Sequence, residues 1–382
     1  MSTSPPPENI TCFPDVLTKY IDNANNSDKE ASDVSEVFFE LANAPIVGYK
    51  LSNQSSAGQS RAPSSGRNGD DKTTQFGDDQ IITVRQNSSV QEHTGGIVWE
   101  TSYLLASYLL ERHRGDDQRQ KRKPPQNSAS IGRSADNSPP PPLGKVLEIG
   151  SGCGMLGLVL AASGLSSSVI LTECSEVMDD LRSNVQRNID AKANSLCKDV
   201  VSAQLLRWDC LEEDIAGTDD ANTNAKNDSK ESLQLRPHSF DTIVGTDVVF
   251  TPTLVRPLLA CLALMAHKHT NIYLCLQVRC ADSHDLLLEK ASKFGLKVKD
   301  CSHKAFMEEC PSACSWGIDM ECKLLHITIK KTKKDSVLLK KGRAGDNKKM
   351  KHDEKKAKKR KQMDTRQVTE PKKHRKKRRK LS

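Results

Sequence analysis

The stretch VLEIGSGCGMLGLVLAA, residues 146–162, sets three glycines at alternate positions between an apolar strand and an apolar helix. Gly150, Gly152 and Gly154 free the backbone for left-handed dihedrals and for close approach to a ligand at a helix start. Ser151, between the first two, shares that turn. Phosphate is the common guest there, and its dinucleotide fingerprint runs G-x-G-x-x-G/A. Here the spacing is G-x-G-x-G, and Met155 stands where the third small residue belongs. Taken alone, the glycines also fit a tight turn that binds nothing. Glu148 is expected to aim a carboxylate into the crevice, where it would repel a pyrophosphate and receive an ammonium or sulfonium. Glu173 comes 19 residues after Gly154, at a strand end, where an acidic side chain can accept both hydroxyls of a ribose. A nucleoside with a cationic amino-acid portion and no phosphate meets these demands together. S-adenosylmethionine is such a molecule.

These side chains need a frame. Apolar runs at 145–150, 168–173, 201–209, 240–250, 271–279, 296–301 and 323–330 read as strands. Helices are expected at 155–163, 175–189, 253–266 and 283–294 between them. In the second helix Ser175 is the expected N-cap, and Val177, Leu181, Val185 and Ile189 recur at four-residue steps. Such alternation predicts an α/β fold: a doubly wound, mostly parallel seven-stranded sheet with helices on both faces. The last two strands lack a strong helix between them, which predicts an antiparallel edge hairpin. In this architecture ligands bind beyond the carboxyl ends of the strands, where strand order reverses.

Charge is unevenly spread. Residues 330–382 hold 25 Lys and Arg against 6 Asp and Glu, while the first 329 residues hold 32 against 43. An acidic body with a basic tail speaks against a catalytic domain that coats itself with nucleic-acid backbone. Twelve cysteines include no C-x-x-C pair, and the group Cys301, Cys310, Cys314 and Cys322 matches no common zinc spacing, so reduced thiols and no metal site are expected. The first 30 residues lack an apolar core flanked by basic residues, and the longest apolar run, 254–266, is too short for a bilayer. Polar segments at about 52–78, 113–142 and 214–238 are expected to be disordered insertions in a domain spanning 34–331. Residues 1–33 and the basic tail, 332–382, are expected to be disordered as well.

The runs VLEIGSGCGMLGLVLA, VILTECSEVMDDLRSNVQRN, LLRWD and FDTIVGTDVVF resemble the successive motifs of class I, seven-strand methyltransferases. More narrowly, with GGIVWETSYLLASYL at 95–109, they resemble the methyltransferase-like 21 group of protein lysine methyltransferases. The likeness covers about residues 80–330 and leaves out the tail. It implies that Trp99 packs against the cofactor, S-adenosylmethionine, and that Gly150 to Gly154 wrap its methionine portion. By the same likeness Glu173 takes the ribose, Trp208 and Asp209 lie beside the adenine, and Thr246 touches the cofactor near its strand end. Asp247 would face the incoming amine. Phe250 stands where the group has tyrosine; a phenyl face can attract a cation but makes no hydrogen bond.

The reaction expected is in-line displacement, a neutral lysine amine attacking a sulfonium methyl, with the protein supplying mainly orientation. The acidic body suits a basic protein substrate, and the chain is expected to be a monomer. RNA methylation, protein-histidine methylation and a non-catalytic nuclear adaptor are the competing expectations. In the tail, KKAKKRK (355–361) and PKKHRKKRRK (371–380) look like nuclear import signals and equally like nucleic-acid arms. They lead to an expected nuclear location, with nucleolar and cytoplasmic fractions, and to an import receptor or RNA as partners of residues 340–382.

Overall fold

The computed structural model describes residues 10–18, 34–51, 80–87, 94–121, 142–191, 194, 196–211 and 234–330, with side chains left out over 114–121. The bulk of the three expected insertions and the tail after Lys330 lie outside the described residues. The chain divides into two units, Met1–Ile329 and Lys330–Ser382, and the architecture below belongs to the first.

Its elements run β1 (Thr11–Phe13), α1 (Val34–Asn43), β2 (Ile46–Leu51), β3 (Gln80–Arg85), α2 (Glu100–Lys121), β4 (Gly144–Ile149), α3 (Met155–Ala162) and β5 (Ser166–Glu173). They continue as α4 (Met178–Asp190), β6 (Val201–Leu205), β7 (Phe240–Thr246), α5 (Pro252–Met265), β8 (Ala266–Gln277) and α6 (Ala281–Ala291). After β9 (Leu296–Asp300) come a π-helical turn, Lys304–Glu309, two four-residue helices and β10 (Cys322–Ile329).

The main sheet has seven strands in the order β6-β5-β4-β7-β8-β10-β9. The first four contacts are parallel, while β10 pairs antiparallel with both β8 and β9. The expected sheet is therefore present, and the last strand slots inside the edge hairpin, beside β8. Order reverses at β4, flanked by β5 on one side and β7 on the other, so the glycine turn after β4 sits at the switch point.

Strand alternation sorts side chains between two cores. Leu147 and Ile149 of β4 join the core with Val255, Leu258, Leu259 and Leu262 of α5. Val146 joins the opposite core with Tyr103, Leu104 and Leu109 of α2 and Leu156 and Leu160 of α3. By the same period of two, Glu148 points toward the α3 side. That placement matters below.

A second sheet, β1-β2-β3, was not anticipated from the sequence. Its outer strand β3 is held by α4 through two asparagines one helical turn apart. Asn184 Oδ1 accepts from the Arg85 N–H (2.8 Å) and its amide donates to Arg85 O (3.0 Å); Asn188 makes the same pair of bonds with Thr83 (3.1 and 2.6 Å). Four helical residues rise about 6 Å and two strand residues about 6.6 Å, so the spacings match and a strand edge is satisfied by side chains.

Several expectations change. Residues 10–18 are ordered: Phe13, almost fully buried, lies against Tyr103 (4.8 Å between centroids), Tyr49 (5.6 Å) and Trp316 (6.1 Å). Helix α2 continues past 113 to Lys121, so the second insertion starts later than its composition suggests. Residues 234–238, assigned to the third insertion, are anchored by buried Leu235. Ser175 caps nothing, since its hydroxyl bonds Glu176 and the N-cap is Val177. The third strand stops at Leu205, which leaves Trp208 and Asp209 on the following loop. Of the grouped cysteines, Cys310 and Cys314 are buried and direct their thiols at the Tyr108 and Leu104 carbonyls of α2.

Candidate functional site

The carboxyl ends of β4, β5 and β7 open onto a cavity of about 500 Å³. Trp99, Gly150, Ser151, Gly152, Glu173, Trp208, Asp209, Thr246, Asp247 and Phe250 line it, with Gly95, Ser102, Glu176 and Arg207. Ten of the twelve residues singled out in the sequence thus share one wall system. Glu148 and Gly154 do not line it.

The glycine turn is sterically required. Gly150 and Gly152 have φ of +60° and +53°, a region costly for any residue with a Cβ. A Cβ on Gly150 would stand 2.8 Å from Val248 Cγ1, and one on Gly152 3.1 Å from the Gly95 carbonyl. Gly154, at φ +86°, is the N-cap of α3; its missing Cβ leaves room for Leu181 and Leu171, so it serves packing. The Ser151 hydroxyl accepts from the Thr172 N–H (3.0 Å), which ties the turn to β5.

Glu148 is corrected outright. Its side chain is buried beneath α3, where Oε2 accepts from the Gly157 N–H at 3.0 Å. Burial pushes its pKa up to about 8, against the pull of the Ser151 and Gly157 donors and with the help of the Glu173 charge. It braces the first turn of α3 and does not line the cavity. The alternation of β4, rather than proximity in sequence, decides its direction.

Glu173 stands where expected. Its Oε1 accepts from the Gly152 N–H (3.0 Å) and its Oε2 from the Cys174 N–H (2.7 Å). Two backbone donors thereby fix the carboxylate at the cavity wall, and each oxygen keeps a lone pair for a further donor such as a ribose hydroxyl. Trp208 packs beside Gly150, its ring 3.4 Å from where a Cβ would be. The Thr246 hydroxyl pairs with that of Ser102 at 2.9 Å.

Asp247 follows β7 at φ +50°, an uncommon conformation for a residue with a side chain. Its Oδ1 accepts from the Gln277 N–H at 2.7 Å, while buried Oδ2 has no hydrogen-bond partner among the described residues. Burial raises its pKa to about 6; the Gln277 N–H opposes that, Glu100 adds to it, and Arg279 and the Thr101 hydroxyl oppose it. Arg279 bonds Glu100, lies 3.5 Å from Asp247 Oδ2, and places its guanidinium 4.4 Å from the Trp99 ring centroid. Sequence reasoning missed Glu100 and Arg279. In the sequence the second is only a basic residue just past the end of β8, two strands from β4, and nothing local ties it to Asp247. Phe250 lies at the mouth, 41% exposed.

The residues fit S-adenosylmethionine by their own chemistry: a glycine turn open to close approach, a fixed acid for hydroxyls, and Glu176, Asp209 and Asp247 on the wall for positive charge. Residues 77–223 match the family model described as lysine methyltransferase. The protein-lysine N-methyltransferase EEF2KMT of Mus musculus is 22% identical over 231 residues, 56% of this chain and 54% of that protein. The UPF0665 family protein C23C4.06c of Schizosaccharomyces pombe is 27% identical over 134 residues, 35% of this chain and 33% of that one. The chain thus spans about half the length of the first relative and a third of the second. Among solved structures, Pyrococcus horikoshii TYW2 in complex with MeSAdo matches with TM-score 0.33 and 12% identity, covering 66% of this chain and 69% of that one. The fibrillarin pre-rRNA processing protein of Methanococcus jannaschii matches with TM-score 0.31 and 12% identity, covering 51% and 69%. Strand order and glycine turn fit a class I methyltransferase domain, and residues 77–223 are similar to the lysine methyltransferase family.

Proposed function

We propose that this protein transfers a methyl group from S-adenosylmethionine to a lysine side chain of a basic, non-histone protein. The observation that carries the reading is Asp247: a carboxylate that lines the cavity just past the end of β7, the strand beside β4. An amine or ammonium is what such a carboxylate accepts from.

S-adenosylmethionine supplies a methyl already activated by sulfonium, so the chain's own task is orientation. Glu173 would take the ribose hydroxyls, Trp208 and Asp209 would flank the adenine, and Trp99 and Thr246 would touch the cofactor from the same cavity wall. Asp247 would align the lysine nitrogen for in-line attack on the sulfonium methyl, with the thioether as the leaving group. The proton lost by nitrogen passes to Asp247 or, through water, to solvent. A free lysine is almost wholly protonated near neutrality, and contact with Phe250 at the mouth favours the neutral amine by desolvating it. Phe250 supplies no hydrogen bond, so Asp247 bears the alignment alone. The acidic balance of residues 1–329, 43 Asp and Glu against 32 Lys and Arg, favours a basic segment over an acidic one.

The test is labelled methyl transfer from S-adenosylmethionine into cell extract by the full chain, followed by protease or nuclease. The proposal requires protease-sensitive label on lysine. Nuclease-sensitive label, label on histidine, or none at all refutes it.

The basic tail supports nuclear import, with RNA contact as an added role. Deleting residues 340–382 should leave the protein cytoplasmic; unchanged nuclear staining refutes that part.

A further inference from the structure

Behind Trp99 two carboxylates share one guanidinium. Glu100 opens α2, Asp247 follows β7 and Arg279 follows β8, so three separate elements meet there. The Glu100 and Asp247 side chains are 8% and 7% exposed and that of Arg279 is 38% exposed. Ionised together they sum to one negative charge, short of neutrality by one cation. Arg279 spends its charge unequally: Nη2 is hydrogen-bonded to Glu100 and stands 3.5 Å from Asp247 Oδ2, outside hydrogen-bond range. Its planar face meanwhile lies on the Trp99 ring.

We infer that Arg279 is a positioning residue: it neutralises Glu100, holds the Trp99 indole against the cavity, and keeps the Asp247 carboxylate a hydrogen-bond acceptor for the acceptor amine. The nature of that acceptor rests on the lysine reading above; the arrangement of the three side chains does not. Without the guanidinium, Glu100 would confront Asp247 directly, and the second carboxylate would hold its proton. Asp247 would then donate a hydrogen bond where it must accept one. The other groups facing it do not replace that charge. Cys275 and Cys322 are thiols whose pKa burial raises, so they stay neutral, and the Gln277 N–H already serves Oδ1. Lysine could restore the charge at 279 but not the flat stack on indole, because only guanidinium offers a face and in-plane donors at once.

The test is a carbon-13 titration of aspartate carboxyls in the full chain, comparing wild type, R279K, R279M and R279Q, with D247N to assign the signal. The Asp247 midpoint should rise by about one unit or more in R279M and R279Q and stay within about half a unit of wild type in R279K. The acid limb of methyl transfer should move by the same amount in the same variants. An unmoved Asp247 midpoint in either neutral variant, with its fold verified by circular dichroism, overturns the inference; R279Q covers the case in which R279M does not fold. Should the midpoint move as predicted while wild type methylates no lysine, the lysine reading falls and the positioning role stands.

Discussion

Replacing Glu148 by glutamine separates its bracing role from any contact with ligand. The carboxyl is 1% exposed, and its pKa is pushed from 4.5 up to about 8. The native state therefore keeps a proton that the unfolded chain releases between those values, and stability falls as pH rises through that window. At pH 7 the loss relative to pH 4.5 amounts to about 3 kcal/mol, at about 1.4 kcal/mol per unit. Glutamine has the same shape, never ionises, and offers its carbonyl to the Gly157 N–H. Urea unfolding at pH 5, 6, 7 and 8 should show E148Q gaining on wild type by about 3 kcal/mol between the lowest and highest pH, with unchanged m-values. Cofactor affinity should hold, because the side chain does not line the cavity. Parallel stability curves for the two proteins, or loss of cofactor binding in E148Q, would refute this assignment.

Other substitutions probe the same walls. In G157A the new Cβ would overlap Glu148 Oε2 and stand 2.9 Å from Leu171 Cγ, so unfolding free energy should drop by about 2 kcal/mol in the same urea assay. E173Q puts an amide where two backbone N–H groups need acceptors, which should weaken S-adenosylmethionine about 10- to 100-fold by calorimetry with little change in fold. Wild-type methyl transfer should decline as pH falls through about 6, where Asp247 becomes protonated. D247N should lose that limb along with about 100-fold or more of kcat, while its cofactor affinity remains within a few-fold of wild type.

The main sheet was legible because its strands are short apolar runs alternating with amphipathic helices, and the crevice followed from where that order reverses. Glycines 150 and 152 announced themselves by spacing, and Glu173 by its place at a strand end. Glu148 was misjudged because adjacency to the glycines outweighed the period of two along β4, which turns the side chain under α3. The small sheet went unread although Val34, Val37, Phe38 and Leu41 recur at helical intervals just before IVGYKL. Its partner strand lies beyond a long polar segment, and the asparagines that bind its edge look like ordinary surface residues of a helix. Arg279 and Glu100 meet Asp247 only through tertiary structure, joining positions 179 residues apart in the case of their own bond. No local pattern encodes such a pair.

The central claim is that this cavity holds a sulfonium nucleoside. Isothermal titration of the purified full chain with S-adenosylmethionine tests it directly, with E173Q and a nicotinamide dinucleotide as comparators. A single saturable site, weakened in E173Q and silent toward the dinucleotide, is the predicted result; no heat with S-adenosylmethionine, or tight binding of the dinucleotide in its stead, would contradict it.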